Sequence, residues 1–144
     1  GEKEQTTVTE RMLEEVRGRM LEDIVLLETM KAADQHQRVF KLQFADGEFD
    51  MVVYDKEQDC CNIYEVKHSG QPAQYRHLLN GEKCRLTERR FGRITERTVL
   101  YRGEDMQMEN GVNYRNVETY LQTLSEEMTP AIEKRMRPNL GPVM

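Results

Sequence analysis

Glu65-Val66-Lys67 sets an acid and an amine two residues apart, and on an extended strand such residues project from one face. Ile63 shares that face and Val66 turns away, so two charges stand beside an apolar side chain. Asp50 falls near the middle of the preceding strand, one tight turn away, and Glu22 lies on a helix further upstream. These four residues can converge on one point, and the chemistry such a set performs is phosphodiester hydrolysis. A hard cation, Mg²⁺ or Mn²⁺, takes a few carboxylate oxygens plus waters, neutralises the phosphate and acidifies an attacking water. Asp50 and Glu65 supply oxygens and the Val66 carbonyl offers a third. Lys67 orients or deprotonates the water and stabilises the pentavalent charge, and Glu22 completes the shell through a second metal or a water. The plainer alternative is an exposed ion pair among Asp50, Glu65 and Lys67, contributing well under about 1 kcal/mol. An acid two before a lysine is common in a chain that is 33% charged. The upstream Glu22 is what favours a site.

The elements that must position these groups are legible in part. Thr7-Val8-Thr9-Glu10 reads as a capping box that starts a helix at Thr7. Val8, Met12, Val16, Met20, Ile24 and Leu27, with Leu13 beside them, form an apolar stripe expected to face the core, with Met12, Met20 and Met30 as filler. Glu22 lies on the nearly opposite face with Gly18, Val25 and Thr29. Gly18 costs about 1 kcal/mol relative to Ala, and either kinks the helix or lets something approach closely. Val39–Phe44, Glu48–Tyr54 and Cys61–Lys67 read as three strands in antiparallel meander order, the first turn signalled by Asp46-Gly47. A short helix over Gln71–Leu79, a strand over Thr98–Tyr101, a short extended stretch from Gly111 to Val117 and a helix over Val117–Met128 capped by Asn116 follow. That helix turns Val117, Tyr120, Leu121 and Leu124 inward. The fold class is therefore α/β (α+β). Residues 1–6 read as a polar lead-in, 7–128 as the domain, and 129–144 as a proline-containing tail expected to fray.

At 144 residues the chain has material for one core. Its net charge of −5 argues against a general polyanion binder, so any nucleic-acid surface must be local. The best candidate is the basic stretch holding Lys83, Arg85, Arg89, Arg90, Arg93, Arg97 and Arg102, with Gln74 and Arg76 near the end of the acid-and-lysine strand; ordinary ion pairs or a protein interface explain the same arginines equally well. His68 and His77 lack the paired Cys/His spacing of a zinc site. Cys60, Cys61 and Cys84 draw no disulfide framework and suit a reducing cytoplasm. No apolar run is long enough to span a bilayer and no signal segment opens the chain, which is expected to be a piece of a longer protein.

Five phrases carry a resemblance over almost the whole chain: Gly18 to Thr29 (GRMLEDIVLLET), Gly47 to Val53 (GEFDMVV), Tyr64 to Ser69 (YEVKHS), Gln74 to Leu78 (QYRHL) and Val99 to Glu104 (VLYRGE). Together they resemble the C-terminal domain of unknown function that follows the P-loop ATPase module in many bacterial and archaeal ATPases, and through it the PD-(D/E)xK nuclease superfamily. The resemblance implies a restriction-endonuclease-like core with Glu22, Asp50, Glu65 and Lys67 at its motif positions. It also implies an ATPase module of the same polypeptide as partner, and it does not by itself imply cleavage. The chain contains no G-x-x-x-x-G-K-[ST] loop, so no ATP site is expected here. Two readings are carried forward: a Mg²⁺-dependent deoxyribonuclease domain, and a non-catalytic module that binds DNA or protein, or self-associates, on the same scaffold.

Overall fold

The computed structural model describes residues 2–72, 75–108 and 110–136, with side chains described over 10–72, 75–108 and 110–126. A long helix α1 (Glu2–Ala32) leads into strands β1 (Gln37–Phe44), β2 (Gly47–Asp55) and β3 (Cys60–Val66). A 3-10 turn (Arg76–Leu79), helix α2 (Gly81–Phe91), strands β4 (Arg93–Tyr101), β5 (Met106–Gln107) and β6 (Val112–Asn116), and helix α3 (Val117–Met136) follow. The strands form one mixed sheet in the order β1-β2-β3-β4-β6-β5. The meander is antiparallel as expected, whereas β4 joins β3 in parallel and β6 joins β4 in parallel.

The sheet separates two cores. On one face Phe49, Val52, Ile63, Leu78, Cys84 and Val99 pack beneath α2; on the other Val25, Met51, Tyr64, Val66, Leu100, Val117 and Tyr120 join α1 and α3 to the sheet. A buried hydrogen bond of 2.8 Å between the Thr29 and Tyr120 hydroxyls ties α1 to α3. Asn116 caps α3 as expected, its side-chain oxygen accepting the Thr119 N–H at 2.9 Å.

Four expectations need correction. First, the apolar stripe of α1 does not face the core: Met12 is 62% exposed, Met20 56% and Met30 43%, and Leu13, Val16, Ile24 and Leu27 are exposed with them. The helix docks instead through the opposite face, where Val25 and Thr29 are buried and Leu21 and Glu22 half-buried. Hydrophobic period identifies an apolar face without identifying what covers it, and the narrower Gly18/Val25/Thr29 face brings the helix closer to the sheet. Second, α1 begins at Glu2, so Thr7 lies inside the helix. Third, the expected Gln71–Leu79 helix is, among the described residues, a 3-10 turn over Arg76–Leu79, with 73 and 74 outside them, and the segment read for its arginines folds as α2, capped by Asn80 accepting the Lys83 N–H at 3.0 Å. Fourth, α3 runs past Met128 and through Pro130 to Met136; the rest of the expected tail, 137–144, lies outside the described residues.

One irregularity matters for the site. Phe40 pairs with Val52 and Leu42 with Phe49, so the single residue Lys41 of β1 stands against both Asp50 and Met51 of β2. This β-bulge flips the alternation: Phe49 faces the α2 core and Met51 the α1 core, and Asp50 is re-aimed between them. Beyond Met51↔Tyr64 the β2–β3 ladder stops, leaving a gap between the two strands at the end where the acids lie.

Candidate metal centre

Asp50 fills that gap. Its Oδ2 accepts the Val66 N–H at 2.8 Å, taking the place of a backbone carbonyl that the parted strand no longer offers. Because the N–H and C=O of one extended residue point to the same side, the Val66 carbonyl faces the gap as well. Glu65 is buried beside Asp50, 8% exposed. Its Oε2 meets His77 Nε2 at 2.8 Å and its Oε1 lies 3.7 Å from Lys67 Nζ. Lys67 also stands 5.7 Å from the centre of the Tyr75 ring. Burial, reinforced by Glu65, pushes the Tyr75 phenol up to about 12, so it remains a protonated donor near the acids.

Glu22 enters from α1. Its carboxylate and those of Glu48 and Asp50 present oxygens within 4.8 Å of one another, a spacing that one ion can bridge. Lys41, the residue opposite the bulge, lies 3.8 Å from Glu22 Oε2 and 3.9 Å from Glu48 Oε1. Burial raises the Glu22 carboxyl above its usual range, against the pull of Lys41. Asp50 is pushed up to about 8, first by burial and then by Glu65, while the Val66 N–H pulls the other way. Burial disfavours the charged forms of Asp50 and Glu22, a cost that a bound cation would offset. The all-oxygen donor set fits a hard divalent cation better than zinc, and Glu22/Glu48/Asp50 is the grouping of potential ligands found among the described residues.

Glu22, Asp50, Glu65, Val66 and Lys67 lie together. Three neighbours escaped the sequence reading. Glu48 is two residues before Asp50, and the same-face rule applied to Glu65 and Lys67 would have found it. His77 was weighed with His68 only against the spacing of a zinc site, which did not tie it to Glu65, and no local signal tied Lys41 to the acids. Gly18 admits a neighbour: a Cβ there would stand 3.3 Å from His68 Nδ1. Beside these residues a cleft of about 370 Å³ runs along α1, lined by Arg11, Arg19, Glu22, Lys67 and His68.

The proposed nucleic-acid contacts are more scattered. Arg89 and Arg90, with Lys83, line a separate crevice of about 430 Å³ between α2 and the β1–β2 turn. Lys83 reaches the turn that carries Glu48, since its Nζ would be 2.9 Å from a Cβ at Gly47. Arg76 is exposed on the 3-10 turn, and Gln74 lies outside the described residues. Arg93 pairs with Cys60, five residues before Glu65, and so stands roughly 16 Å along the strand from the acids. Arg97 is occupied structurally, its Nε donating to the Leu78 carbonyl at 2.9 Å. Cys60, Cys61 and Cys84 are free thiols, and burial pushes Cys61 up to about 12, which keeps it unreactive. No helix among the described residues is long and apolar enough to cross a membrane. No family model, curated protein or solved structure matches the chain.

Proposed function

We propose that this chain is a Mg²⁺- or Mn²⁺-dependent nuclease domain of the PD-(D/E)xK type, hydrolysing DNA phosphodiesters and working with a P-loop ATPase module of the same polypeptide in the cytoplasm. The observation that carries the reading is the convergence of Glu22, Glu48, Asp50, Glu65 and Lys67 at the gap between β2 and β3. A bound divalent ion would supply charge neutralisation at the phosphate and a more acidic water. Asp50, Glu48 and Glu22 are the residues to hold it, with the Val66 carbonyl beside them. His77 fixes one oxygen of Glu65 and leaves the other near Lys67. Lys67 is the group to orient the attacking water and meet the charge that develops on phosphorus.

The second reading, a non-catalytic interaction module on the same scaffold, is favoured by the net charge of −5 and by the distance of Arg93 from the acids. Calorimetric titration with Mn²⁺ and Mg²⁺, followed by a DNA nicking assay, separates the two. The nuclease reading expects metal binding that is lost in Asp50→Ala, and nicking that is lost in both Asp50→Ala and Lys67→Ala. Absence of metal binding at millimolar concentration would leave the interaction module.

A further inference from the structure

The exposed stripe of α1 is a feature that the acidic cluster does not use. From Met12 to Met30 it runs about 27 Å along the helix, on the side opposite Val25 and Thr29 and therefore away from the sheet. A continuous apolar face of this length is unusual on a monomer and marks an interaction surface. We propose that it is covered by the same stripe of a second copy of this chain, the two α1 helices packing antiparallel about a two-fold axis beside residues 21 and 22.

The argument is the self-complementarity of the pattern. A two-fold there sets Met12 against Met30 of the second copy, Val16 against its Leu27, and Met20 against its Ile24, each within about 2–3 Å of level at 1.5 Å rise per residue. The stripe is edged by Arg17 and Glu28 on one flank and by Arg19 and Asp23 on the other. In an antiparallel pair related by a two-fold, like flanks meet, as isologous symmetry requires. Arg17 then comes level with Glu28 of the second copy, and Arg19 with its Asp23. Both flanks become opposite-charge pairs at the register that already aligns the apolar residues. A parallel arrangement would bring Arg17 beside Arg19 of the second copy at nearly the same height, like charge against like. Among the described residues Glu28 is ion-paired within its own helix by an exposed contact of 3.2 Å to Lys31, a weak pair that leaves it available to a stronger partner.

Sedimentation equilibrium of the full chain from micromolar to hundred-micromolar concentration tests this. A dimer is expected, and Met20→Glu, a change at an exposed position whose fold is checked by circular dichroism, should raise its dissociation constant at least a hundredfold. Arg19 borders the cleft at the acids, so charge reversal is made on the other flank. Arg17→Glu and Glu28→Arg should each weaken the dimer by about three- to tenfold, and the double variant should recover most of that loss. A monomer at every concentration would overturn the proposal and leave the stripe to another segment or partner. A dimer insensitive to Met20→Glu would place the contact elsewhere, and a double reversal without recovery would refute the antiparallel register.

Discussion

Asp50 has lost most of its water and stands against Glu65, and together these hold its proton on to about pH 8, against a usual carboxyl value of 3.8. Between those values the folded chain binds more protons than the unfolded one, so stability is greatest on the acid side and is lost as pH rises through about 8. The metal-free domain should therefore melt higher at pH 5 than at pH 8. Mg²⁺ or Mn²⁺ should raise the melting temperature more at pH 8, because the ion binds the ionised form. At pH 7 binding should expel a proton, so the calorimetric heat should change with the ionisation enthalpy of the buffer. Asp50→Asn keeps an oxygen for the Val66 N–H and removes the crowded charge. In urea unfolding at pH 8 without metal it should stabilise the domain by about 1–3 kcal/mol while weakening Mn²⁺ binding at least tenfold, a trade of function for stability.

Among the elements, the meander was legible because its strands alternate, its first turn carries Asp46-Gly47, and each pairing is local. The bulge at Asp50 and Met51 was not. It arises from pairing against β1, and only the finished ladder shows that Lys41 faces two residues. Helix α2 was hidden because its arginines and glutamates drew attention as charge, whereas Cys84 and Thr87 are its buried positions. The acids could be read because spacing alone puts Glu65 beside Lys67. The docking face of α1 could not, since a wide apolar stripe outweighs the small one that touches the sheet. Gly92, between α2 and β4, adopts φ 76°, and a Cβ there would overlap the Asp59 carbonyl oxygen. Gly92→Ala should therefore destabilise the domain by roughly 2–4 kcal/mol, through strain at a positive φ and displacement of the β2–β3 turn, as chemical denaturation would report.

For the molecule as a whole, a net charge of −5 limits how strongly DNA can be held. If Lys83, Arg89 and Arg90 provide the contacts, about three phosphates are neutralised, and the logarithm of the binding constant should fall with the logarithm of salt concentration with a slope near −3. A slope of −6 or steeper would require a basic surface other than that crevice. The sheet joins two kinds of pairing: β1, β2 and β3 meet through tight turns, whereas β4 reaches β3 only after the 3-10 turn and α2 have been traversed. Hairpin closure takes microseconds, and non-local pairing waits on the entropy of a longer loop. The topology thus favours early closure of the two hairpins, which brings Glu48, Asp50 and Glu65 together before β4 joins the sheet. Pulsed hydrogen exchange during refolding should protect the amides of Val52 and Tyr64, which face the neighbouring meander strands, earlier than those of Val99 and Tyr114, and acidic refolding buffer, by keeping Asp50 neutral, should hasten that first step.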